Sequence, residues 1–294
     1  CALPIWDEEV IGQARSSADT DRAHLVHRHL QHQLQRIDLR LQRAVHLWQQ
    51  AGQDPDDAFR GLYVSDETVN ALLSRPLGTS WGQSVAPDPE FEATIRERLE
   101  ELDAAITELE TTAQEQGVQL PLPYLQQAFG LGQFEIDVVL LAVAPSVDLR
   151  YERLYSYLQD DVTKKHPTVN LALDLLAQPG IGRLNVLAAF DESGPLRRHR
   201  LLSLHLPGDV KDAPLLAHSL RVDGGLLAWL LGGYRPHTSL QGHLSIHQAP
   251  PEIPEAFISR ELARALAQDG PGDGSDGAPL YLFHGPDTDV QRAA

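Results

Sequence analysis

Residues 129–176 read FGLGQFEIDVVLLAVAPSVDLRYERLYSYLQDDVTKKHPTVNLALDLL, and this stretch decides the fold expected for the chain around it. Tyr151, Tyr155 and Leu158 recur at helical spacing and are expected in a core. Asp160 and Asp161 are expected to end one helix and begin the next. They are not expected to form a carboxylate pair for acid–base chemistry. With the residues just before it, the stretch predicts short helices in quick succession, over residues 122–129, 133–144, 148–159 and 168–177.

Extended segments are expected after these helices. Residues 184–187 and 201–206 read as two strands, and a further apolar helix is predicted over residues 226–231. Several helices followed by a two-stranded ribbon are the order of a winged helix. We therefore predict a winged-helix-like domain over residues 119–250.

Two long amphipathic helices are predicted upstream, over residues 20–50 and 89–116. Their apolar stripes consist of Leu30, Leu34, Ile37, Leu41 and Trp48 in the first helix and Ile95, Leu99, Leu102, Ile106 and Leu109 in the second. Because the helices are similar in length and each carries such a stripe, they are expected to pack antiparallel as a hairpin within a region spanning residues 18–118. A short helix over 66–74 separates them, and residues 1–17 are expected to form a flexible arm.

The composition describes a globular protein with an acidic excess. The 294 residues include 24 Lys and Arg against 41 Asp and Glu, which gives a formal net charge of −17. This charge repels a phosphate backbone and so disfavours nonspecific binding to nucleic acid. No apolar run reaches the ~18 residues of a membrane span, and the one cysteine, Cys1, permits no internal disulfide. We therefore expect a cytoplasmic protein without a membrane partner.

The last residues, LYLFHGPDTDVQRAA over 280–294, read as the first strand of an α/β module and a phosphate loop. A helix over 251–268 and a Gly- and Asp-rich linker over 269–279 are expected before them. A working phosphate loop reads G-x-x-x-x-G-K-[ST]. Gly285 and Pro286 fit its start, but the later positions carry no second glycine, lysine or hydroxyl. We expect a degenerate nucleotide site, with an ordinary turn as the alternative, and neither a catalytic residue nor a cofactor in this chain.

Three segments together resemble a known family: DPDDAFRGLYVSDETVNALL (54–73), the stretch 129–176, and GPLRRHRLLSL (194–204). In these segments the chain is similar to the N-terminal region of bacterial AAA-type ATPases found with phage-tail-like contractile injection systems. The resemblance implies a helical and winged-helix region before an ATPase module whose first nucleotide site is degenerate. It also implies that this chain is a fragment. The catalytic residues, ATP and magnesium would then belong to a parent protein that continues past Ala294, and that protein would form a homo-oligomeric ring acting on a protein client or an injection-system component.

The densest basic cluster, Arg197, Arg198 and Arg200, falls where the wing of a winged helix is expected. We predict that these three arginines contact a protein partner. Contact with DNA is the alternative, but the acidic excess of residues 85–160 disfavours it.

Four histidines, His24, His27, His29 and His32, crowd the first long helix. On a helix, His24, His27 and His32 spread too widely for one metal ion, and no cysteine joins them. A solvated helix face is therefore expected, and no metal site is predicted.

The function expected from these features is that of a non-catalytic, partner-binding or regulatory region of an AAA-type ATPase that remodels protein assemblies. A winged-helix module that binds nucleic acid is one alternative, and it predicts salt-sensitive DNA binding that Arg197→Glu abolishes. A stand-alone helical scaffold with no ATPase attached is the other alternative.

Overall fold

The computed structural model describes residues 17–51, 66–80, 86–206 and 212–233. All of them belong to one compact unit, Cys1–His237, and a second unit comprises Thr238–Ala294. The predictions for the arm before Ser17, for residues 234–279 and for the strand and phosphate loop of 280–294, with Gly285 and Pro286, lie outside the described residues.

The described residues are mainly helical, with one two-stranded sheet. The helices are α1 (Ser17–Gln50), α2 (Asp66–Ser74), α3 (Pro89–Glu115), α4 (Pro121–Phe129), α5 (Gln133–Val147), α6 (Arg150–Leu158), α7 (Val169–Leu176), α8 (Ile181–Asn185), α9 (Pro195–Arg198) and α10 (Gly224–Leu230). The strands are β1 (Ser203–His205) and β2 (Ser219–Arg221), and single 3-10 turns span Leu187–Phe190 and Leu215–Ala217. The predicted fold class, mainly α with a small β component, is confirmed for this part of the chain. Within it, no helix combines the length and the apolar character that crossing a membrane requires.

Helices α1 and α3 form the predicted antiparallel hairpin. The Nε atom of Arg43 lies 2.6 Å from Oε1 of Glu92 near one end of the pair. Near the other end, Nε2 of His29 lies 3.1 Å from Oε1 of Glu110. Because the partner's number on α3 rises as the number on α1 falls, the two helices run in opposite directions.

Local sequence signals explain where several helices begin and end. The Asp88 side chain accepts a hydrogen bond from the Glu90 amide at the start of α3, and the Thr168 hydroxyl accepts one from the Leu171 amide at the start of α7. Gly130 ends α4 with φ +61°, a left-handed conformation that a side chain makes costly. These caps fix the helix boundaries close to the predicted ones.

Helix α5 lies at the centre of the core. Its residues from Ile136 to Pro145 are all buried, so the helix is enclosed by the elements around it. The fully buried side chains that surround it include Ile37 and Leu41 of α1, Leu125 of α4, Tyr151 and Tyr155 of α6, Leu173 of α7, Leu220 of β2 and Leu230 of α10. The long helix α1 therefore packs on the same core as the helices that follow residue 119.

The two strands form an antiparallel ribbon in which Ser203 lies opposite Arg221 and His205 lies opposite Ser219. An antiparallel bridge also joins Ser219 to Thr168, the residue just before α7. This bridge attaches the ribbon to the start of α7. Helices α8 and α9 lie between α7 and β1 along the chain. This order of helices and ribbon is that of a winged helix.

The strand predicted over residues 184–187 is wrong. Its first two residues end α8, and Leu187 begins the 3-10 turn that follows. The apolar run is too short for its periodicity to distinguish a strand from a helix. The second predicted strand, over 201–206, is confirmed in part as β1, and its partner is β2 rather than the earlier run.

Candidate functional site

The segment between α7 and β1, residues 181–198, occupies the position of the recognition helix in a helix-turn-helix. In such motifs the second helix enters the major groove of DNA and presents side chains to the bases. Here the segment is divided into α8, a 3-10 turn and α9. It is therefore a set of short helical pieces, and what its surface displays decides what it can bind.

An arginine of this segment points inward. The guanidinium of Arg183 donates hydrogen bonds to the carboxylate of Asp174 and to the side-chain oxygen of Asn170, both on α7. Burial raises the pKa of Asp174, while the guanidinium groups of Arg183 and Arg75 act to lower it. Asp174 also accepts a hydrogen bond of 2.8 Å from the amide of Asn170. This cluster joins α7 to α8 and leaves Arg183 only 9% exposed.

The beginning of α8 is in contact with the turn that follows α2. The Gly180 amide donates a hydrogen bond of 3.2 Å to the Gly78 carbonyl oxygen. Both glycines have positive φ, +75° at Gly78 and +73° at Gly180, and a Cβ atom on Gly78 would lie 3.1 Å from the Gly180 carbonyl oxygen. The two backbones therefore approach each other as closely as glycine permits.

Exposed apolar side chains flank this glycine contact. Ile181 is 76% exposed and Leu184 is 55% exposed on α8, and Leu77, next to Gly78, is 85% exposed. We call Leu77, Ile181 and Leu184 the apolar ridge. Contiguous apolar groups at a protein surface commonly mark contacts with other proteins.

The three arginines predicted to bind a partner lie between α8 and the ribbon along the chain. Arg197 and Arg198 belong to α9, and Arg200 follows with φ +55° before β1. All three therefore precede the ribbon, and the expectation that they lie on the wing is corrected in this respect. Nη2 of Arg197 lies 3.2 Å from Oε1 of Glu192. Arg198 and Arg200 are exposed and have no ion-pair partner among the described residues.

Two of the four histidines near the start of α1 are engaged in contacts with other elements. Nε2 of His27 donates a hydrogen bond of 3.2 Å to the Leu231 carbonyl oxygen, and Nε2 of His29 donates one to Glu110. His24 is exposed. Within the described ranges, no group of three or more His, Cys, Asp or Glu side chains is arranged to hold a metal ion.

Asp160 and Asp161 lie in the turn between α6 and α7, as the sequence indicates. The carboxylate of Asp161 accepts hydrogen bonds of 2.9 Å from the Thr163 amide and 2.6 Å from the Thr163 hydroxyl. The hydroxyl bond is the main reason that the pKa of Asp161 lies below its usual range. These contacts give the residue a role in shaping the turn.

A family model described as a winged helix domain, variant, matches residues 27–244. The chain belongs to this family. No curated protein and no solved structure matches the chain. The match to the winged-helix variant begins within α1, which agrees with the shared core of α1 and α5. The long hairpin helix is thus part of what the family model recognises.

Sequence reasoning found the winged-helix order and the arginine cluster, but it missed the contacts that shape the segment 181–198. Neither the Arg183 cluster nor the contact of Gly78 with Gly180 was predicted. The spacing of Asn170 and Asp174, four residues apart on one helix face, was the one local signal of a shared polar partner. The position of that partner depends on the fold.

Proposed function

We propose that this winged-helix variant binds a protein partner, as the non-catalytic N-terminal region of an AAA-type ATPase that remodels protein assemblies. The observation that carries the proposal is the apolar ridge, because its Ile181 and Leu184 are exposed on the segment that takes the place of a recognition helix. In this proposal ATP and magnesium are used beyond this chain, in a homo-oligomeric ring. The ridge and the arginines Arg197, Arg198 and Arg200 hold the client or an injection-system component.

The surface of the segment favours protein over DNA. Binding in the major groove relies on polar side chains that reach base edges and on basic side chains that neutralise phosphates. The exposed side chains of α8 include Ile181 and Leu184, while its arginine is turned inward onto Asp174. The net charge of −17 adds a repulsion that would act on any DNA approaching the chain.

The ATPase part of the proposal rests on sequence resemblance. Residues 54–73, 129–176 and 194–204 resemble such ATPases, and the winged-helix family match covers all three segments completely. Gly285 and Pro286 fit the beginning of a phosphate loop whose later positions are lost. An intact G-x-x-x-x-G-K-[ST] further along the natural protein would supply the catalytic site.

Binding to DNA is the second candidate, because Arg198 and Arg200 are exposed and a winged helix is a common DNA-binding fold. A fluorescently labelled duplex, titrated at low salt, tests it directly. The proposal expects the protein to bind the duplex no more tightly than it binds an unrelated polyanion. Salt-sensitive binding that is lost in an Arg198→Glu/Arg200→Glu variant would replace the protein-binding proposal with the DNA-binding one.

The protein partner is tested in the source cells with the natural protein and an Ile181→Glu/Leu184→Glu variant. The proposal expects a stoichiometric protein partner that co-purifies with the wild type and is lost from the variant. Val162→Glu is the matched control, because Val162 is also exposed, at 85%, but lies in the turn after α6. The absence of a partner, or a partner retained by the ridge variant, refutes the proposed use of this surface.

The ATPase assignment has a separate test. The intact mass and peptide map of the natural protein show whether a phosphate loop with lysine and a hydroxyl residue follows residue 294. The purified protein is then assayed for ATP hydrolysis with and without magnesium. Magnesium-dependent hydrolysis is expected, and a natural protein without such a loop and without hydrolysis rules out this part of the proposal.

A further inference from the structure

A groove of about 510 Å³ lies between α1, the corner that joins α5 to α6, and the end of α10. We call it the α1 groove. Its floor consists of the buried side chains of Leu30 and Leu34 and the ring of Tyr151. Val147 and Leu231 form its walls and are 45% and 43% exposed. The groove thus has an apolar floor and apolar walls and is open to solvent, with Gln31 and Gln35 of α1 also in its lining.

One end of the α1 groove carries a charge imbalance. The guanidinium of Arg150 lies 2.6 Å from the carboxylate of Asp38 and 3.3 Å from that of Asp148. Two carboxylates therefore share one guanidinium, which leaves a net charge of −1 at this end. The Asp148 side chain is 49% exposed, so that charge is accessible to a partner.

This charged end is held in place by Tyr151. The Tyr151 hydroxyl donates a hydrogen bond of 2.7 Å to Asp38, and the Arg150 guanidinium lies 5.0 Å from the centre of the Tyr151 ring. Burial is the main reason that the pKa of Tyr151 is raised to about 12, so the hydroxyl keeps its proton for this bond well above neutral pH. The carboxylate of Asp38 is thereby fixed at the rim before any partner arrives.

The opposite end of the α1 groove is fixed by the hydrogen bond between His27 and the Leu231 carbonyl oxygen. From His27 to Asp38 the groove follows about three turns of α1, or roughly 16 Å at 1.5 Å per residue. A partner helix of similar length can place two or three apolar residues, spaced three or four positions apart, along such a floor. The shape and the apolar lining therefore suit a helix better than a compact polar ligand.

We infer that the α1 groove binds an amphipathic helix of a protein partner, with leucine-sized residues on Leu30 and Leu34 and a lysine or arginine beside Asp38 and Asp148. This inference rests on the proposed protein-binding function and adds a second surface to the apolar ridge. Charge complementarity selects the occupant. A basic helix is attracted by the rim and by the net charge of −17, whereas a second copy of this chain brings the same net charge and is repelled.

The probe is a fluorescein-labelled model helix of about 18 residues with leucines at heptad spacing and lysines elsewhere, long enough to form some helix on its own. Two matched peptides separate the contributions: one replaces every leucine with alanine, and the other replaces every lysine with glutamate. Fluorescence anisotropy with the full chain at physiological salt gives each Kd. The leucine–lysine peptide is expected to bind at least about tenfold more tightly than either control, a difference of about 1.4 kcal/mol.

Variants of the chain then locate the binding site. Val147→Gln/Leu231→Gln removes the apolar walls at exposed positions and is expected to weaken the leucine–lysine peptide about tenfold. Asp148→Asn is expected to weaken it severalfold. Leu184→Gln makes the same change on the apolar ridge and is expected to have no effect. Circular dichroism and thermal unfolding verify that each variant is folded.

Two results overturn the inference: a leucine–lysine peptide that binds no better than its controls, or wall variants that bind it like the wild type. The proposed function fails in a different way, through the absence of a natural partner or its insensitivity to Ile181→Glu/Leu184→Glu. A natural partner that depends on the apolar ridge, together with an α1 groove that does not bind the leucine–lysine peptide, would refute this inference and leave the proposed function standing.

Discussion

The hydroxyl group of Tyr155 donates a hydrogen bond of 2.9 Å to the carbonyl oxygen of Leu141, deep in the core. In a regular α-helix this carbonyl would accept a bond from the amide four residues later, but that residue is Pro145, which has no N–H. The side chain of α6 thus replaces the missing backbone donor of α5. A proline is thereby tolerated within the most buried helix of the described chain.

Removal of this hydroxyl should leave a buried acceptor without its partner. Tyr155→Phe keeps the ring and is expected to lower the free energy of unfolding by about 1–3 kcal/mol. In a Pro145→Ala background the backbone amide returns, so the same substitution should cost clearly less. Urea unfolding of the two single variants and the double variant gives the coupling energy, in which any cavity left by Pro145→Ala cancels. Additive effects would show that Tyr155 does not replace the missing donor.

The contact between Gly78 and Gly180 gives a second prediction. Gly78→Ala adds a Cβ atom 3.1 Å from a backbone oxygen and also forces alanine into a left-handed conformation. Gly117→Ala is the matched control, because Gly117 has φ +65° but nothing within 4 Å of the added atom. Both substitutions should cost on the order of 1 kcal/mol for φ, and Gly78→Ala should cost about 1 kcal/mol more for the close approach.

Equal losses of unfolding free energy for the two alanine variants would show that the turn after α2 moves to accommodate the added Cβ atom without a further loss of stability. The comparison also bears on the proposed function, because Leu77 and Ile181 flank the two glycines. If Gly78→Ala displaces the turn, hydrogen exchange should increase in α8 as well as in the turn.

Much of the architecture could be predicted from the sequence because its long helices have apolar residues that recur at helical spacing. The stripes that include Ile37 and Leu41 on α1 and Ile106 and Leu109 on α3 are buried as expected. Ile37 and Leu41, however, belong to the core around α5, a partner that the α1 stripe alone did not indicate. The run over 184–187 was misjudged because four residues do not distinguish a strand from a helix.

The candidate surfaces were less predictable than the fold, because each combines residues from distant parts of the chain. The apolar ridge needs the turn after α2 to meet α8, and the α1 groove needs three elements to meet around Leu30 and Leu34. The side chain of Arg183 illustrates the difficulty. In the sequence, the charge of Arg183 indicates an exposed side chain, but in the fold its guanidinium donates a hydrogen bond to Asp174.

The buried carboxylate of Asp137 gives a third prediction. It lies 3.1 Å from Nη2 of Arg40 and 3.7 Å from Nη1 of Arg36, and it accepts a hydrogen bond of 2.8 Å from Gln133. Asp137→Asn leaves the two guanidinium groups without their buried counter-charge and should cost about 3–5 kcal/mol. The Asp103 side chain also pairs with Arg36 but is 60% exposed, so Asp103→Asn should cost at most about 1 kcal/mol.

Denaturant unfolding of the two asparagine variants tests this difference. A similar, small loss in both would show that the α1–α5 contact does not depend on the buried charge. Both substitutions replace one carboxylate oxygen with an amide nitrogen, so a large difference in their effects can be assigned to burial of the ion pairs.

The His29–Glu110 contact gives the last prediction, which concerns pH. Burial lowers the pKa of His29, and the hydrogen bond and charge of Glu110 offset this shift only in part. Unfolded His29 would titrate near its ordinary pKa of about 6.5. As the pH falls through that value, the unfolded state binds a proton that the folded state resists, so the free energy of unfolding should decrease between pH 7 and pH 5.

The substitution His29→Gln tests this assignment and should make the loss of unfolding free energy between pH 7 and pH 5 smaller. His24→Gln, an exposed change on the same helix, should leave it unaltered. Burial also lowers the pKa of His166 and His205, so part of the pH dependence should persist in the His29 variant. Urea unfolding at the two pH values measures each contribution, and an unchanged pH dependence in His29→Gln would contradict the assignment.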